Sequence, residues 1–265
     1  MIKLIATDMD GTLLDKDGKL PKDFMEILEQ LDNKGVKFVV ASGRPYTNLK
    51  KVFKPKSNEL HYICDNGAVV VEESNISSIN IINRDLVEEI IKVASEIPNV
   101  AVLLCGTKSM YHSKCSEECM EEINKYYVEK IEMEDLSKVE DEVFKISICD
   151  LRGSKENSYP GLNDKFGEDL NVVVSGNVWI DITNKDVNKG VALEKIQKDL
   201  NISYEETMVF GDFYNDIEML QKAHYSFVME NANEDMKQYG NFIAKSNYEN
   251  GVIDAIQNYV LKEIS

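Results

Sequence analysis

Four short polar stretches carry the residues able to do chemistry, and the first is the most unusual of them. Asp8-Met9-Asp10-Gly11-Thr12-Leu13-Leu14 places two carboxylates one residue apart, directly after the apolar run Leu4-Ile5-Ala6. Alternate side chains of a β-strand share a face, so the spacing predicts that Asp8 and Asp10 point the same way from a strand's C-terminal end. Like charges held together repel and raise one pKa. Such a pair calls for a cation, a shared proton or chemistry, set against the plainer reading of a solvated strand end. Gly11 permits a sharp exit from the strand, and Thr12 adds a hydroxyl beside the turn.

Three later stretches supply what the first lacks. Ser42-Gly43 closes an apolar run and offers a hydroxyl and backbone N–H groups suited to an oxyanion, although Ser-Gly alone is an ordinary turn. Asn188-Lys189-Gly190 opens a helical pattern. The positive end of the helix dipole disfavours a lysine there, so Lys189 is either solvated surface or the answer to a need for positive charge. Gly211-Asp212-Phe213-Tyr214-Asn215-Asp216 follows another apolar run. Two more carboxylates opposite Asp8 and Asp10 would make an oxygen-rich pocket suited to a hard cation such as Mg²⁺, while Asn215 or Asp216 also fits the N-cap of the next helix.

The elements that must position these stretches alternate between strand and helix. Residues 13–20, with the turn dipeptide Asp17-Gly18, predict a short β-flap. Phe24, Ile27, Leu28 and Leu31 then repeat at helical spacing, with Gly35 as the C-terminal stop, and residues 36–41 form a buried strand. Strand, helix, strand is the unit of a doubly wound parallel sheet. A helix with Tyr46, Leu49, Val52 and Phe53 inward follows, then strand 61–64, the turn Asp65-Asn66-Gly67-Ala68 and strand 69–71. From Arg84 to about residue 184 the pattern is a helix-and-sheet module of its own, in which the acidic stretch 129–142 reads as a loop with a short helix at best. Helix 189–200, strand 207–211, a helix from Asp216, strands 226–229 and 242–244 and a last helix with Val252, Ile256, Val260 and Ile264 resume the alternation. The fold class is therefore α/β: a doubly wound, mainly parallel, Rossmann-like core sheet with an inserted α/β domain.

Composition narrows the function classes. Of 265 residues, 43% are hydrophobic and 29% charged, as in ordinary globular proteins, and the formal net charge of −17 argues against a broad electrostatic grip on nucleic acid. An anionic substrate would need a local positive patch or a metal. There is no apolar run long enough for a membrane span and no secretory signal, and five scattered cysteines suit a reducing cytoplasm better than a disulfide framework. His112, Cys115 and Cys119 lack a second pair at zinc-like spacing.

In this order, D-x-D-G-T-L at 8–13, Ser42-Gly43, Lys189-Gly190 and G-D-x-x-N-D at 211–216 resemble the motifs of the haloacid dehalogenase superfamily of phosphohydrolases. Only 34 residues separate Asp8 from Ser42, whereas 147 separate Ser42 from Lys189. That is the arrangement of the type with an α/β cap after the second motif, and Ser42-Gly43-Arg44, Asn66-Gly67-Ala68 and residues 247–252 resemble its Cof-type branch. The resemblance implies a catalytic core of residues 1–83 and 185–265 and a cap of residues 84–184 that closes over the site. It implies Asp8 as nucleophile, forming an aspartyl-phosphate, and Asp10 as proton donor and then acceptor. Mg²⁺ would be held by Asp8, the Asp10 carbonyl and Asp212, with Asp216 as ligand or one step behind it. Ser42, Gly43, Lys189 and Asn215 would bind the phosphoryl oxygens, and Arg44 and Asn66 the rest of the substrate.

The implied activity is Mg²⁺-dependent hydrolysis of small phosphorylated metabolites, sugar phosphates first and a phosphorylated flavin or pyridoxal cofactor next, by a cytoplasmic enzyme. The alternatives are a phosphotransferase or mutase that delivers the phosphoryl group to a sugar hydroxyl, and a non-catalytic phosphometabolite-binding protein. Phe213 and Tyr214 stand where many relatives carry a small residue, and Glu230 where relatives usually have glycine; both bear on substrate and not on reaction.

Overall fold

In chain order the computed structural model, which describes residues 1–127 and 129–262, begins with β1 (Leu4–Asp8), α1 (Phe24–Asn33), β2 (Lys37–Ala41), α2 (Tyr46–Val52), β3 (His61–Cys64), β4 (Val69–Glu72) and β5 (Asn75–Ile79). The middle of the chain forms α3 (Arg84–Ser95), β6 (Val100–Gly106), β7 (Met110–Ser113), α4 (Glu117–Tyr126), β8 (Ile131–Met133), β9 (Val143–Asp150), α5 (Tyr159–Phe166), β10 (Leu170–Gly176) and β11 (Trp179–Asn184). It ends with α6 (Lys189–Leu200), β12 (Thr207–Gly211), α7 (Ile217–Leu220), β13 (Tyr225–Met229), β14 (Phe242–Ala244) and α8 (Gly251–Ile256). These elements make two compact units, Met1–Ser78 with Asn188–Ser265, and Ile79–Val187.

The first unit is built on the sheet β14-β13-β12-β1-β2-β3-β4-β5, parallel from β14 to β3 and antiparallel between β3 and β4. Its central strands are continuous apolar runs because both faces are covered. On one face Leu4, Ala6, Val39, Ala41, Ile63 and Val209 pack with Ala192, Leu193 and Ile196 of α6 and Met219 and Leu220 of α7. On the other, Phe24 of α1 meets Phe38 edge-on at 5.4 Å and Phe53 meets Tyr62 at 6.2 Å. The α/β, mainly parallel, doubly wound core expected from the sequence is what the structure shows.

The second unit carries the sheet β10-β11-β9-β6-β7-β8, antiparallel except for β7 with β8. One face is covered by α3 and α5, through Val87, Ile90, Leu162 and Phe166 on Leu104, Ile146, Ile148 and Ile180. Cys119 and Ile123 of α4 cover part of the other, against Leu103, Cys105, Cys149 and Trp179.

Several expected elements are corrected. Residues 13–20 form a turn and no strands: the Asp15 carboxylate accepts the N–H of Asp17 at 2.8 Å and of Lys19 at 2.9 Å, so side-chain bonds close the loop where a ladder was expected. The acidic stretch 129–142 contains β8, a three-residue strand paired with β7. β5 was unexpected too, since Asn75-Ile76-Ser77-Ser78 offers no apolar alternation. In the last helix Val252 and Ile256 are buried and Val260 half-buried, while Ile264 lies outside the described residues.

Candidate active site

The site begins at the C-terminal edge of the first unit's sheet, where β1 runs between β2 and β12. The strand ends at Asp8, and the chain then leaves through an irregular turn in which Gly11 adopts φ +86°. A Cβ at that position would overlap the Asp212 carboxylate, so glycine is required both by its backbone and by its neighbour. Strand alternation therefore does not carry through to Asp10, and the two carboxylates have different surroundings. Asp8 is buried. The Asp10 side chain is 57% exposed and is held by Arg44, whose Nε donates to Oδ2 at 2.9 Å and Nη2 to Oδ1 at 2.5 Å.

Lys189 is the first residue of α6, behind Asn188, whose Oδ1 caps the helix by accepting the Val191 N–H at 2.8 Å. The lysine that opposes the helix dipole is fully buried, and its Nζ donates to Asp8 Oδ1 at 2.6 Å and to Asp216 Oδ1 at 2.8 Å. Two carboxylates thus outweigh the dipole and the desolvation of the ammonium. Asp216 is also fully buried; its Oδ2 accepts the N–H groups of Asp212 at 3.0 Å and Phe213 at 3.1 Å, which folds the loop after β12 back on itself. Asp212 accepts the Thr12 hydroxyl at 2.7 Å. One carboxylate oxygen each from Asp8, Asp212 and Asp216 lie within 4.8 Å of one another, the one such group of three acidic, histidine or cysteine ligands among the described residues.

Three carboxylates against one ammonium leave excess negative charge in a largely dry place, which disfavours their ionised forms. Burial pushes the Asp8 carboxyl up to about 8, with Lys189 pulling it down and Asp216 and Asp212 pushing it up further. Asp212 is pushed up to about 6, again by burial first, against the Thr12 hydrogen bond. Burial would lower Lys189, but the carboxylates of Asp216 and Asp8 more than offset that and raise it.

The remaining predicted residues line the neighbouring loops. Ser42, at the end of β2, is buried, and its Oγ accepts the Arg44 N–H at 3.1 Å. Gly43 lies against the Asn66 side chain, and Asn215 donates from Nδ2 to Asn66 Oδ1 at 3.0 Å. Asp8, Lys189, Asp212 and Asp216 are thus brought into direct contact or near contact, Asp10 joins Arg44, and Asn215 joins Asn66. Two residues with no chemical pattern in the sequence also serve the site. Asn231 donates to the Gly11 carbonyl at 2.8 Å, and Asn247 donates to the Leu14 carbonyl at 2.8 Å while its N–H reaches Asn231 at 3.1 Å. Neither asparagine signals this role by its own chemistry: Asn231 is hinted at only by its place beyond a strand C-terminus, and Asn247 by that and by the family likeness of residues 247–252.

Carboxylates, a buried lysine and N–H-rich loops at the carboxyl ends of a parallel sheet define a class of protein, and the chain belongs to it: the model of the haloacid dehalogenase-like hydrolase family matches residues 5–256. Among individual proteins, it is 32% identical over 264 residues to the 5-amino-6-(5-phospho-D-ribitylamino)uracil phosphatase YbjI of Escherichia coli, covering 99% of this chain and 97% of that protein. It is 25% identical over 262 residues to the phosphatase of the same name, YcsE, of Bacillus subtilis, covering 98% and 96%. The crystal structure of SMU.1108c from Streptococcus mutans superposes with a TM-score of 0.86 at 33% identity, over 99% of this chain and 100% of that one.

Proposed function

We propose that the chain is a Mg²⁺-dependent phosphatase that hydrolyses small phosphorylated metabolites through an aspartyl-phosphate. The observation that carries this reading is the cluster of the buried Asp8 and Asp216, both bonded to Lys189, with the half-buried Asp212 beside them. Binding a phosphate would not by itself require two buried carboxylates and a half-buried third, since they repel it.

The donor set fits a hard divalent cation: three carboxylate oxygens with one ammonium leave an uncompensated charge that such an ion would neutralise. Asp8, the Asp10 carbonyl, Asp212 and Asp216 are the residues that would hold it. When bound, Mg²⁺ would supply charge neutralisation for the phosphoryl group and keep Asp8 ionised at neutral pH.

The chain's own groups account for the rest. An Asp8 carboxylate oxygen attacks phosphorus, the phosphorus–ester oxygen bond breaks, and Asp10 gives its proton to the departing alkoxide. Asp10, now a carboxylate, takes a proton from the water that attacks the aspartyl-phosphate; inorganic phosphate leaves and Asp8 is restored. Lys189 spends two of its three N–H donors on Asp8 and Asp216 and offers the third to a phosphoryl oxygen, beside the Ser42 hydroxyl, the Gly43 N–H and the Asn215 amide. Arg44 holds the carboxylate form of Asp10 through both oxygens, so this ion pair opens when Asp10 takes up the proton it donates.

The two relatives named for 5-amino-6-(5-phospho-D-ribitylamino)uracil support a substrate whose phosphate ends a polyol or sugar chain. The inserted residues 84–184 are read as the family's cap, the part that selects the leaving group, and the enzyme as cytoplasmic; no helix among the described residues is long and apolar enough to cross a membrane. Assayed against a panel of sugar and polyol phosphates, the protein is expected to release phosphate with Mg²⁺ and not with EDTA, and Asp8→Asn to be inactive. Equal rates with EDTA, or full activity in Asp8→Asn, would overturn the reading. Transfer to an added sugar outpacing release to water would favour a phosphotransferase.

A further inference from the structure

The turn between β3 and β4 is held in a conformation that simple chain reversal does not explain. Asp65 (φ 48°) and Asn66 (φ 56°) both lie in the left-handed region, and Gly67 (φ 108°) follows. Residues with a Cβ are disfavoured there and persist only where their surroundings fix them. The surroundings here are three of the four polar stretches. The Asn66 N–H donates to the Ser42 carbonyl at 3.0 Å and the Asp65 N–H to the Arg44 carbonyl at 3.2 Å. Asn66 Oδ1 accepts from Asn215 at 3.0 Å, and a Cβ on Gly43 would stand 3.2 Å from Asn66 Nδ2. A Cβ on Gly67 would overlap the carbonyl of Asn188, the residue that caps α6 just ahead of Lys189.

We infer that Asn66 is a positioning residue: its carboxamide, wedged between Gly43 and Asn215, sets the Gly43 N–H and the Asn215 amide at the spacing a phosphoryl group requires, without touching the substrate. Accepting from one N–H of Asn215 Nδ2 fixes the orientation of that amide and leaves the second N–H for a phosphoryl oxygen. The left-handed backbone is what carries the side chain to this place, and Gly67 lets the turn approach α6. This assigns Asn66 a different part from the substrate contact expected from sequence, and it rests on the phosphatase reading for the chemistry it serves.

The test uses the full chain with Mg²⁺, para-nitrophenyl phosphate as substrate and inorganic phosphate as inhibitor. Asn66→Gly keeps the left-handed backbone and removes the carboxamide; Asn66→Asp keeps an oxygen acceptor facing Asn215. Asn66→Gly is expected to lower kcat/KM about 10–100-fold, as removal of a group that orients site residues does, and to weaken inhibition by phosphate, with Asn66→Asp recovering most of both. In an Asn215→Ala background the further loss from Asn66→Gly is expected to shrink to about threefold or less, because the two act through one contact. The proposal is overturned if Asn66→Gly stays within about twofold of wild type, if its loss multiplies fully with that of Asn215→Ala, or if only the melting temperature falls. Should the wild type hydrolyse no phosphate ester, the phosphatase reading fails, and calorimetric binding of inorganic phosphate to the same variants still decides the role of Asn66.

Discussion

Three carboxylates and one ammonium share the space around Lys189, and that imbalance sets how the metal-free protein responds to pH. Asp8 has an ordinary value near 3.8 when unfolded and is pushed up to about 8 by burial when folded. Between those values the native state holds a proton that the unfolded state releases. The contribution of Asp8 to stability is therefore greatest at low pH and is lost as pH rises toward about 8, with a ceiling of about 1.4 kcal/mol per pH unit for one proton. Asp212, pushed up to about 6, adds to the same trend below that value. His61, lowered by burial, acts in the opposite sense, because its protonation below the ordinary histidine range favours the unfolded chain. Comparison with Asp8→Asn cancels the His61 contribution, while Asp212, which interacts with Asp8, shifts in the same direction as Asp8 does. Urea unfolding in EDTA is expected to show the wild type losing stability relative to Asp8→Asn between pH 5 and pH 8; parallel curves would show that Asp8 is ionised without a metal. At this scale the sequence was informative where charge was anomalous. A lysine at a helix start and acids one residue apart break ordinary rules; Lys189 and Asp8 meet in the cluster, while Asp10 stands outside it against Arg44. Asn231 and Asn247 break none; Asn247 stands out only through the likeness of residues 247–252 to the Cof-type branch, which does not disclose its role in the turn after β1.

Elements were legible where burial imposed a period. α1, α3 and α6, with both sheets' central strands, follow from apolar spacing because each presents a face to a core. The misses are elements that bury little: β5 and β8 are short and polar, and the turn at 13–20 closes on the Asp15 carboxylate instead of a ladder. The same blindness hid a structural residue of the second unit. Asp141 sits in the acidic stretch before β9 among similar residues, yet it is buried and accepts the Thr107 hydroxyl at 2.8 Å, the N–H of Lys108 at 2.9 Å and of Ser109 at 3.3 Å, and the Tyr111 hydroxyl at 3.2 Å. It therefore fixes the connection between β6 and β7. Burial would raise its pKa, but these hydrogen bonds more than compensate and lower it, so its contribution is present at neutral pH and fades as pH falls below the ordinary carboxylate range. Asp141→Ala leaves those donors without an acceptor and is expected to cost about 2–3 kcal/mol. Its neighbours Glu140→Ala and Glu142→Ala, both exposed, are expected to cost about 0.5 kcal/mol or less. Chemical denaturation of the three variants separates them, and equal effects would mean that Asp141 is one surface acid among several.

Across the whole molecule the charge of −17 makes any cation stabilising to some degree, so a metal site has to be distinguished from screening. The discrimination lies in where the ligands are. Asp8, Asp212 and Asp216 all belong to the unit Met1–Ser78 with Asn188–Ser265, and none to Ile79–Val187. An ion that binds the folded site and not the unfolded chain stabilises by an amount set by its concentration over its dissociation constant, about 2.7 kcal/mol at a hundredfold excess. Screening by contrast follows ionic strength and acts on both units, which are both rich in acid. Adding Mg²⁺ is thus expected to raise the unfolding temperature of the wild type by several degrees beyond NaCl of equal ionic strength, and by no more than NaCl does in Asp212→Asn. If calorimetry resolves two transitions, only the one belonging to the unit with the carboxylate cluster should move with Mg²⁺. A shift of both transitions alike, or a shift that survives Asp212→Asn, would assign the effect to the surface charge and remove the cluster as a metal site. The buried acids would then have to be neutralised by protons, and the pH dependence predicted for Asp8 would persist unchanged in the presence of Mg²⁺.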